Sequence, residues 1–303
     1  MQYDVTILTE ARYLNPTREP GDWYTEQVLT EDQLLHDALT SNGLRVQRRD
    51  WADSDMDWKT TRSAIFRTTW DYFHRFDKFK SWLEVVSQQT TLFNAESLIR
   101  WNLDKHYLQD LKNRGVNIVD STFIKRGDCK TLSALCDPID AQELILKPTI
   151  SGAARHTYRI TSENVEKHEA VFRELIEQED MMLQPFQYNI LKKGELSLMV
   201  MDGTYTHAVR KRAKANDFRV QDDFGGSVET HQATESEIEF ALQAVNACEP
   251  KPLYARVDII EDNQSQLAVS ELELIEPELW FRENPKAADV LAAGIARNLA
   301  EAS

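Results

Sequence analysis

Glycine-rich signatures are missing from this chain. It contains no GxGxxG, no GxxxxGKS/T, no HExxH and no GxSxG. Nothing therefore marks a Rossmann dehydrogenase, a P-loop NTPase, a zinc hydrolase or an α/β-hydrolase. Cysteine is scarce: Cys129, Cys136 and Cys248 form no CxxC pair, and an odd count argues against a disulfide framework. The histidines fall at no metal-ligand spacing. Positive charge is short as well, with 35 basic against 50 acidic side chains and a net charge of −15. Nonspecific DNA or anionic-membrane binding needs a basic surface, so neither partner is expected, although a local basic pocket for a phosphate remains compatible. No apolar run approaches the roughly 20 residues that span a bilayer. Residues 1–9 lack the basic stretch and long apolar run of a signal peptide, so a cytoplasmic protein is expected. At 303 residues, 42% of them hydrophobic, the chain is long enough for two or three compact units around a large core.

What is present is a change of pattern along the chain. Val5 to Leu8 reads as a buried strand. Thr30, with Gln33 completing a capping box, predicts a helix start, an apolar face through Leu34, Leu35, Ala38 and Leu39, and an end at Gly43. Strands are expected at 44–47 and 64–66 and a helix at 76–89, which together suggest a small α/β domain with a largely parallel sheet. Ligands of such sheets bind beyond the carboxyl ends of the strands. Arg67, Trp70, Asp71 and Tyr72 lie at such an end and are candidates to hold a substrate.

From Asn94 onward the pattern alters. Asn102 predicts a helix cap before 103–111. A strand at 143–148 stops at a proline before the small-residue loop 149–154. A helix at 162–179 and a strand at 181–186 follow. Strands at 195–201 and 204–211 flank Asp202-Gly203, a strong hairpin signal. The most telling segment is residues 253–277, two strands joined by a polar turn. Alternation puts Glu271 and Glu273 on one face. A turn centred on Asn263 and Gln264 brings Asp258 near residue 269, beside both. Three carboxylates on one wall repel each other unless a cation sits among them, and hard oxygen donors suit Mg2+. Such a pattern also describes the wet face of an ordinary amphipathic strand. Lys105, Lys147, the small side chains of Ser151, Gly152, Ala153 and Ala154, and the basic run Arg210-Lys211-Arg212 with Arg219 are the features that a phosphate-bearing ligand would use.

The order of these features resembles an ATP-grasp ligase. The series is Asn102-Leu-Asp-Lys105, Leu146-Lys-Pro148, Leu183-Gln-Pro-Phe186, Gly194-Glu195, Arg210-Lys211, Asp217-Phe-Arg219, Gly225-Gly226, Arg256-Val-Asp258 and Glu271-Leu-Glu273. It is similar to the glutathione-synthetase-like and cycloserine-biosynthesis branch, and Arg67-Thr-Thr-Trp-Asp-Tyr72 resembles the segment preceding the ATP-grasp region there. The resemblance implies a pre-ATP-grasp α/β domain (1–93) followed by a two-subdomain, α+β ATP-grasp fold (94–183 and 184–303). It implies that Lys105 and Lys147 hold nucleotide phosphates, that Ser151 to Ala154 form a lid, and that Gln184, Pro185 and Phe186 meet adenine. Glu195 would bind ribose. Asp258, Glu271 and Glu273 would ligate one or two Mg2+, with Mn2+ an alternative. Arg210, Arg219 and Arg256 would offset charge on the transferring phosphoryl group and serve as the catalytic residues. Glu273 stands where many relatives carry Asn. The implied activity is an ATP- and Mg-dependent carboxylate–amine ligase acting through an acyl phosphate on a small amino-acid-like carboxylate, with a homodimer as the implied assembly. The alternatives are a kinase-like phosphotransferase and a non-catalytic ATP-binding regulatory protein.

Overall fold

The computed structural model describes residues 1–16, 21–152, 154–214 and 226–302. Three sheets organise it. In the first, β1 (Tyr3–Thr9), β2 (Val46–Asp50), β3 (Thr61–Thr68) and β4 (Thr91–Phe93) run parallel in the order β2-β1-β3-β4. Parallel neighbours need crossovers, which the helices Trp23–Ser41 and Phe76–Val86 help supply. The first of these starts a full two turns before Thr30. Asp22 caps it by accepting from Thr25 N at 3.2 Å. Buried Val28, seven residues ahead of Leu35, extends the apolar face backward. Thr30 is mid-helix and its hydroxyl donates to Glu26 O.

The second sheet is antiparallel. It contains β5 (Thr122–Ile124), β6 (Glu143–Pro148), β7 (Tyr158–Thr161) and β8 (Met181–Pro185) in the order β5-β8-β6-β7. Leu144, Leu146, Ile160 and Leu183 close on Phe172 and Ile176 of the helix Val165–Ile176, a core of its own.

The third sheet, also antiparallel, contains β9 (Glu195–Met201), β10 (Thr204–Arg212), β11 (Ser227–His231), β12 (Tyr254–Glu261) and β13 (Leu267–Glu273), ordered β11-β10-β9-β12-β13. Asp202 (φ 51°) and Gly203 (φ 73°) make the two-residue turn between β9 and β10, the conformation that lets paired strands keep their right-handed twist. One side of this sheet packs on the helix Glu235–Asn246. Met199, Met201 and Tyr254 on the other side join the closing helix Lys286–Glu301, the first sheet's Val5 and Ile7, and Leu35 of the helix Trp23–Ser41 in one core.

Two asparagines tie these pieces to the hairpin of β12 and β13. Asn94 Nδ2 donates to Tyr254 O (2.9 Å) and Leu274 O (2.8 Å), while its Oδ1 accepts from Leu253 N (2.6 Å). Asn102 donates to Leu272 O and accepts from Leu274 N, each at 2.8 Å. Buried main-chain groups at a strand end need such partners. Asn102 is therefore no N-cap. It closes the helix Glu96–Asn102, and the expected 103–111 helix begins only at Tyr107. No helix among the described residues is long and apolar enough to cross a membrane.

Candidate active site

The hairpin of β12 and β13 builds the centre. Asp258 lies opposite Glu271 and Arg256 opposite Glu273. This register is shifted from the expected one for two reasons. The turn holds one more residue, with Ser265 in the left-handed region (φ 62°) and Asp262 Oδ1 accepting from Gln264 N and Gln266 N. A bulge at Asp258–Ile259 then places Ser270 as an extra residue in β13. Oxygens of Asp258, Glu271 and Glu273 all lie within 4.8 Å of one another. Three hard carboxylate donors at this spacing fit a divalent cation such as Mg2+ or Mn2+.

Cationic side chains surround these carboxylates. Arg256 is two residues from Asp258 on the same strand face and grips it as a fork, Nε to Oδ1 at 3.0 Å and Nη2 to Oδ2 at 2.9 Å. Arg256 also pairs with Glu273 across the strands. Lys211 Nζ reaches Asp258 Oδ2 at 3.1 Å and pairs with Glu195. Ser197 Oγ donates to Asp258 Oδ1 at 2.5 Å. Lys105 Nζ lies 3.0 Å from Glu271 and donates to Ser151 O at 2.7 Å.

The electrostatic outcome differs from one carboxylate to the next. Burial alone would raise Asp258, but Arg256 and then Lys211 outweigh it and hold the group down at about 2. Burial pushes Glu273 up to about 7 against the pull of Arg256, because Glu271 and Asp258 repel its charge. Burial is likewise opposed at Glu271, where Lys105 and Lys147 lower the carboxyl. Lys147 itself is pushed down to about 8, first by burial and then by Lys105, with Glu271 opposing. Above about pH 8 much of Lys147 is therefore neutral in the free protein. A polyphosphate beside it favours the charged form and must draw a proton in. Binding of a non-hydrolysable ATP analogue at about pH 9 is accordingly expected to take up close to one proton, and Lys147→Met to take up none. Calorimetry in buffers of different ionisation enthalpy reads this number, and equal uptake by the two proteins would remove Lys147 from the phosphates.

These carboxylates and cations face a cavity of about 930 Å³. Lys105, Lys147, Ser151, Gly152, Gln184, Pro185, Phe186 and Glu195 line it together with Asp258, Glu271 and Glu273. Lys105 sits in the turn between two helices and is held there by its own N–H, which donates to Thr149 O at 3.0 Å. Gln184 donates to Ser121 Oγ at 2.9 Å. Gly152 is pressed against Phe73, where an added Cβ would come within 2.9 Å of the ring. Trp70, Asp71 and Tyr72 line the end of the cavity nearest the first sheet. Their polar atoms are already engaged: Trp70 Nε1 donates to Glu276 O at 2.9 Å, and Asp71 accepts from Trp51 Nε1 at 2.7 Å and pairs with Arg75.

Two expected residues are not brought to the cavity. Arg67 is almost fully buried beneath it, donating to Pro277 O at 2.9 Å and lying over the Phe281 ring. At that position it joins the first sheet to the segment after β13. Arg210 is turned away, with Nη1 donating to Lys193 O at 2.6 Å and Nη2 3.1 Å from His231 Nδ1. The cause is one bulge. Pairing from the Asp202-Gly203 turn starts as Thr204 with Met201, which if unbroken would set Arg210 opposite Glu195. A shift between Tyr205 and His207 sets Lys211 there instead. Gly194 allows the close fit, since its φ is +75° and a Cβ would meet Lys211 O at 2.3 Å. Ala153, Arg219 and Gly225 lie outside the described residues.

Sequence reasoning passed over Lys211, although it stood in the basic run, and Glu276, which lies three residues past the end of β13 and lines the same cavity. Burial, and after it the charge of Glu273, pushes Glu276 up to about 8.

Two family models match the chain. A family model described as the N-terminal domain of D-cycloserine synthetase DcsG matches residues 5–94. A second, described as the prokaryotic glutathione synthetase ATP-grasp domain, matches residues 115–272, just over half the chain. The chain belongs to the ATP-grasp ligases. It is an enzyme, an ADP-forming ligase that makes C–N bonds, and it uses ATP with a divalent metal ion. The cycloserine biosynthesis protein DcsG of Streptomyces lavendulae is 30% identical to the ligase over 263 residues, 81% of this chain and 86% of that one. The crystal structure of D-cycloserine synthetase DcsG superposes with a TM-score of 0.85 at 26% identity, covering 97% of this chain and 99% of that one. D-alanine–D-alanine ligase from Bacillus anthracis, solved with ATP, shares the fold with a TM-score of 0.65 at 12% identity, over 99% and 98% of the two chains.

Proposed function

We propose that the ligase activates a small amino-acid-like carboxylate as an acyl phosphate and couples it to an amine. The observation that carries this reading is the metal wall of Asp258, Glu271 and Glu273 facing Lys105 and Lys147 in one cavity that continues to the strand ends of the first sheet. The nucleotide occupies the part between the second and third sheets. Gln184, Pro185 and Phe186 border its base, Glu195 its ribose, and Lys105 and Lys147 its phosphates. When bound, ATP with one or two Mg2+ supplies the phosphoryl group that makes the substrate carboxylate a good acyl donor.

The chain's own part is positioning and charge. Both partners of the first step are anions, so Arg256, Lys211, Lys105 and Lys147 must offset their repulsion. Gly152 leans on Phe73 and, with Ser151, keeps water from the activated acyl group. No covalent nucleophile is needed; holding acid and amine together supplies much of the rate. The overall likeness to D-cycloserine synthetase favours a substrate that carries both groups and closes a ring.

Incubating the protein with ATP, Mg2+, hydroxylamine and single amino acids of either hand tests the reading. Amino-acid-dependent ADP release with an acyl hydroxamate is the expected result, because hydroxylamine intercepts an acyl phosphate. ADP release with a stable phosphorylated product and no hydroxamate would favour the phosphotransferase alternative and overturn the ligation chemistry.

A further inference from the structure

The cavity wall carries eight carboxylates near the metal wall and the first sheet, and seven of them have a cationic partner. Asp258 has Arg256 and Lys211, Glu273 has Arg256, Glu271 has Lys105 and Glu195 has Lys211. Asp71 has Arg75, Glu10 has Arg12 and Glu278 reaches Arg282. Glu276 is the exception among the described residues. Its side chain faces the Tyr72 hydroxyl, and no Lys, Arg or His of the described residues forms an ion pair with it; Lys105, paired with Glu271, acts on its charge only from farther off.

This carboxylate is also firmly placed. Trp70 Nε1 donates to its main-chain oxygen, and Tyr254 Oη donates to the neighbouring Ile275 O at 2.6 Å. Trp70 and Tyr254 thus fix the backbone at residues 275 and 276. The position is the junction between the metal wall and the carboxyl ends of the parallel strands, where open α/β sheets hold their ligands. A partly buried carboxylate without a counter-charge is costly, and a cationic ligand removes that cost.

We infer that Glu276 is a specificity-determining residue of the ligase, receiving a positively charged nitrogen, an ammonium group, of the substrate. The inference rests on the ligase reading above and adds which end of the substrate faces the first domain. The carboxylate to be activated points toward Arg256 and the metal wall, and the ammonium points toward Glu276 and Tyr72. A deaminated acid would keep the first contact and lose the second.

The test compares alanine, in both enantiomers, with propionate, which differs from it by the ammonium alone. Each is titrated calorimetrically into wild-type and Glu276→Gln protein saturated with Mg2+ and a non-hydrolysable ATP analogue. The wild type is expected to bind one enantiomer of alanine at least about tenfold tighter than propionate, and Glu276→Gln to lose that preference. The analogue and its Mg2+ requirement should be unchanged in the variant, which shows that the variant is folded and that Glu276 is not a metal ligand. The inference is overturned if the wild type does not prefer alanine, if Glu276→Gln keeps the preference, or if the variant loses the Mg2+-dependent analogue. Failure of the wild type to bind the analogue at all would instead sink the nucleotide-site reading.

Discussion

Arg256→Met is expected to lower both stability and activity, and by more than any other single change in the cavity wall. Arg256 is buried, on the strand face that also carries Asp258, and it is the fork that Asp258 and Glu273 share. Its pKa is driven upward; burial opposes its charge, but Asp258 and Glu273 more than compensate. Methionine keeps much of the stem and removes the charge. Lys211 still reaches Asp258, but Glu273 is left without a cation. Breaking a buried ion pair from one side costs about 3 kcal/mol or more, since the remaining charge stays desolvated. Denaturant unfolding without divalent metal should show that loss, and added Mg2+ should restore part of it by binding the freed carboxylates. Turnover should fall on the order of 10²–10³-fold with Mg2+ present, the usual effect of removing one group that stabilises transition-state charge. Arg210→Met is the control. Its side chain leans on Lys193 O outside the cavity, so the stability change should stay below about 1 kcal/mol and nucleotide binding should not change. An Arg256→Met protein as stable and active as wild type would contradict the site geometry.

The pair of arginines also shows how far the sequence could be read. Hairpin chemistry was legible: Asp202-Gly203 sits at the turn predicted for it, and the alternation of Glu271 and Glu273 put both on one face. Parity within the strands was not. The bulge at Tyr205–His207 exchanged Arg210 for Lys211, and the bulge at Asp258–Ile259 set the register of Asp258 against Glu271. A bulge inserts one residue without a local composition signal, and side chains alternate with a period of two, so one unseen residue reverses every assignment beyond it. Contacts between distant segments were equally hidden. Asn102 looked like a helix cap because its local pattern is that of a cap, yet its amide is used on β13, 170 residues away. Arg67 lay at a strand end where ligands bind, but Pro277 and Phe281 cover it. Glu276 became informative only when the partners of its seven neighbours were known.

Glu271→Gln tests most directly the proposal that the hairpin of β12 and β13 holds the metal and the nucleotide. Gln keeps the size of Glu271 and removes one of the three anionic donors. It also frees Lys105 from its 3.0 Å ion pair, so binding without metal should not weaken. Calorimetric titration of a non-hydrolysable ATP analogue, with and without Mg2+, is the measurement. The wild type should bind it in a Mg2+-dependent manner, and Glu271→Gln should bind at least about tenfold more weakly with Mg2+ and no more weakly without it. Equal Mg2+-dependent affinity in the two proteins would contradict the assignment and place the nucleotide's metal elsewhere.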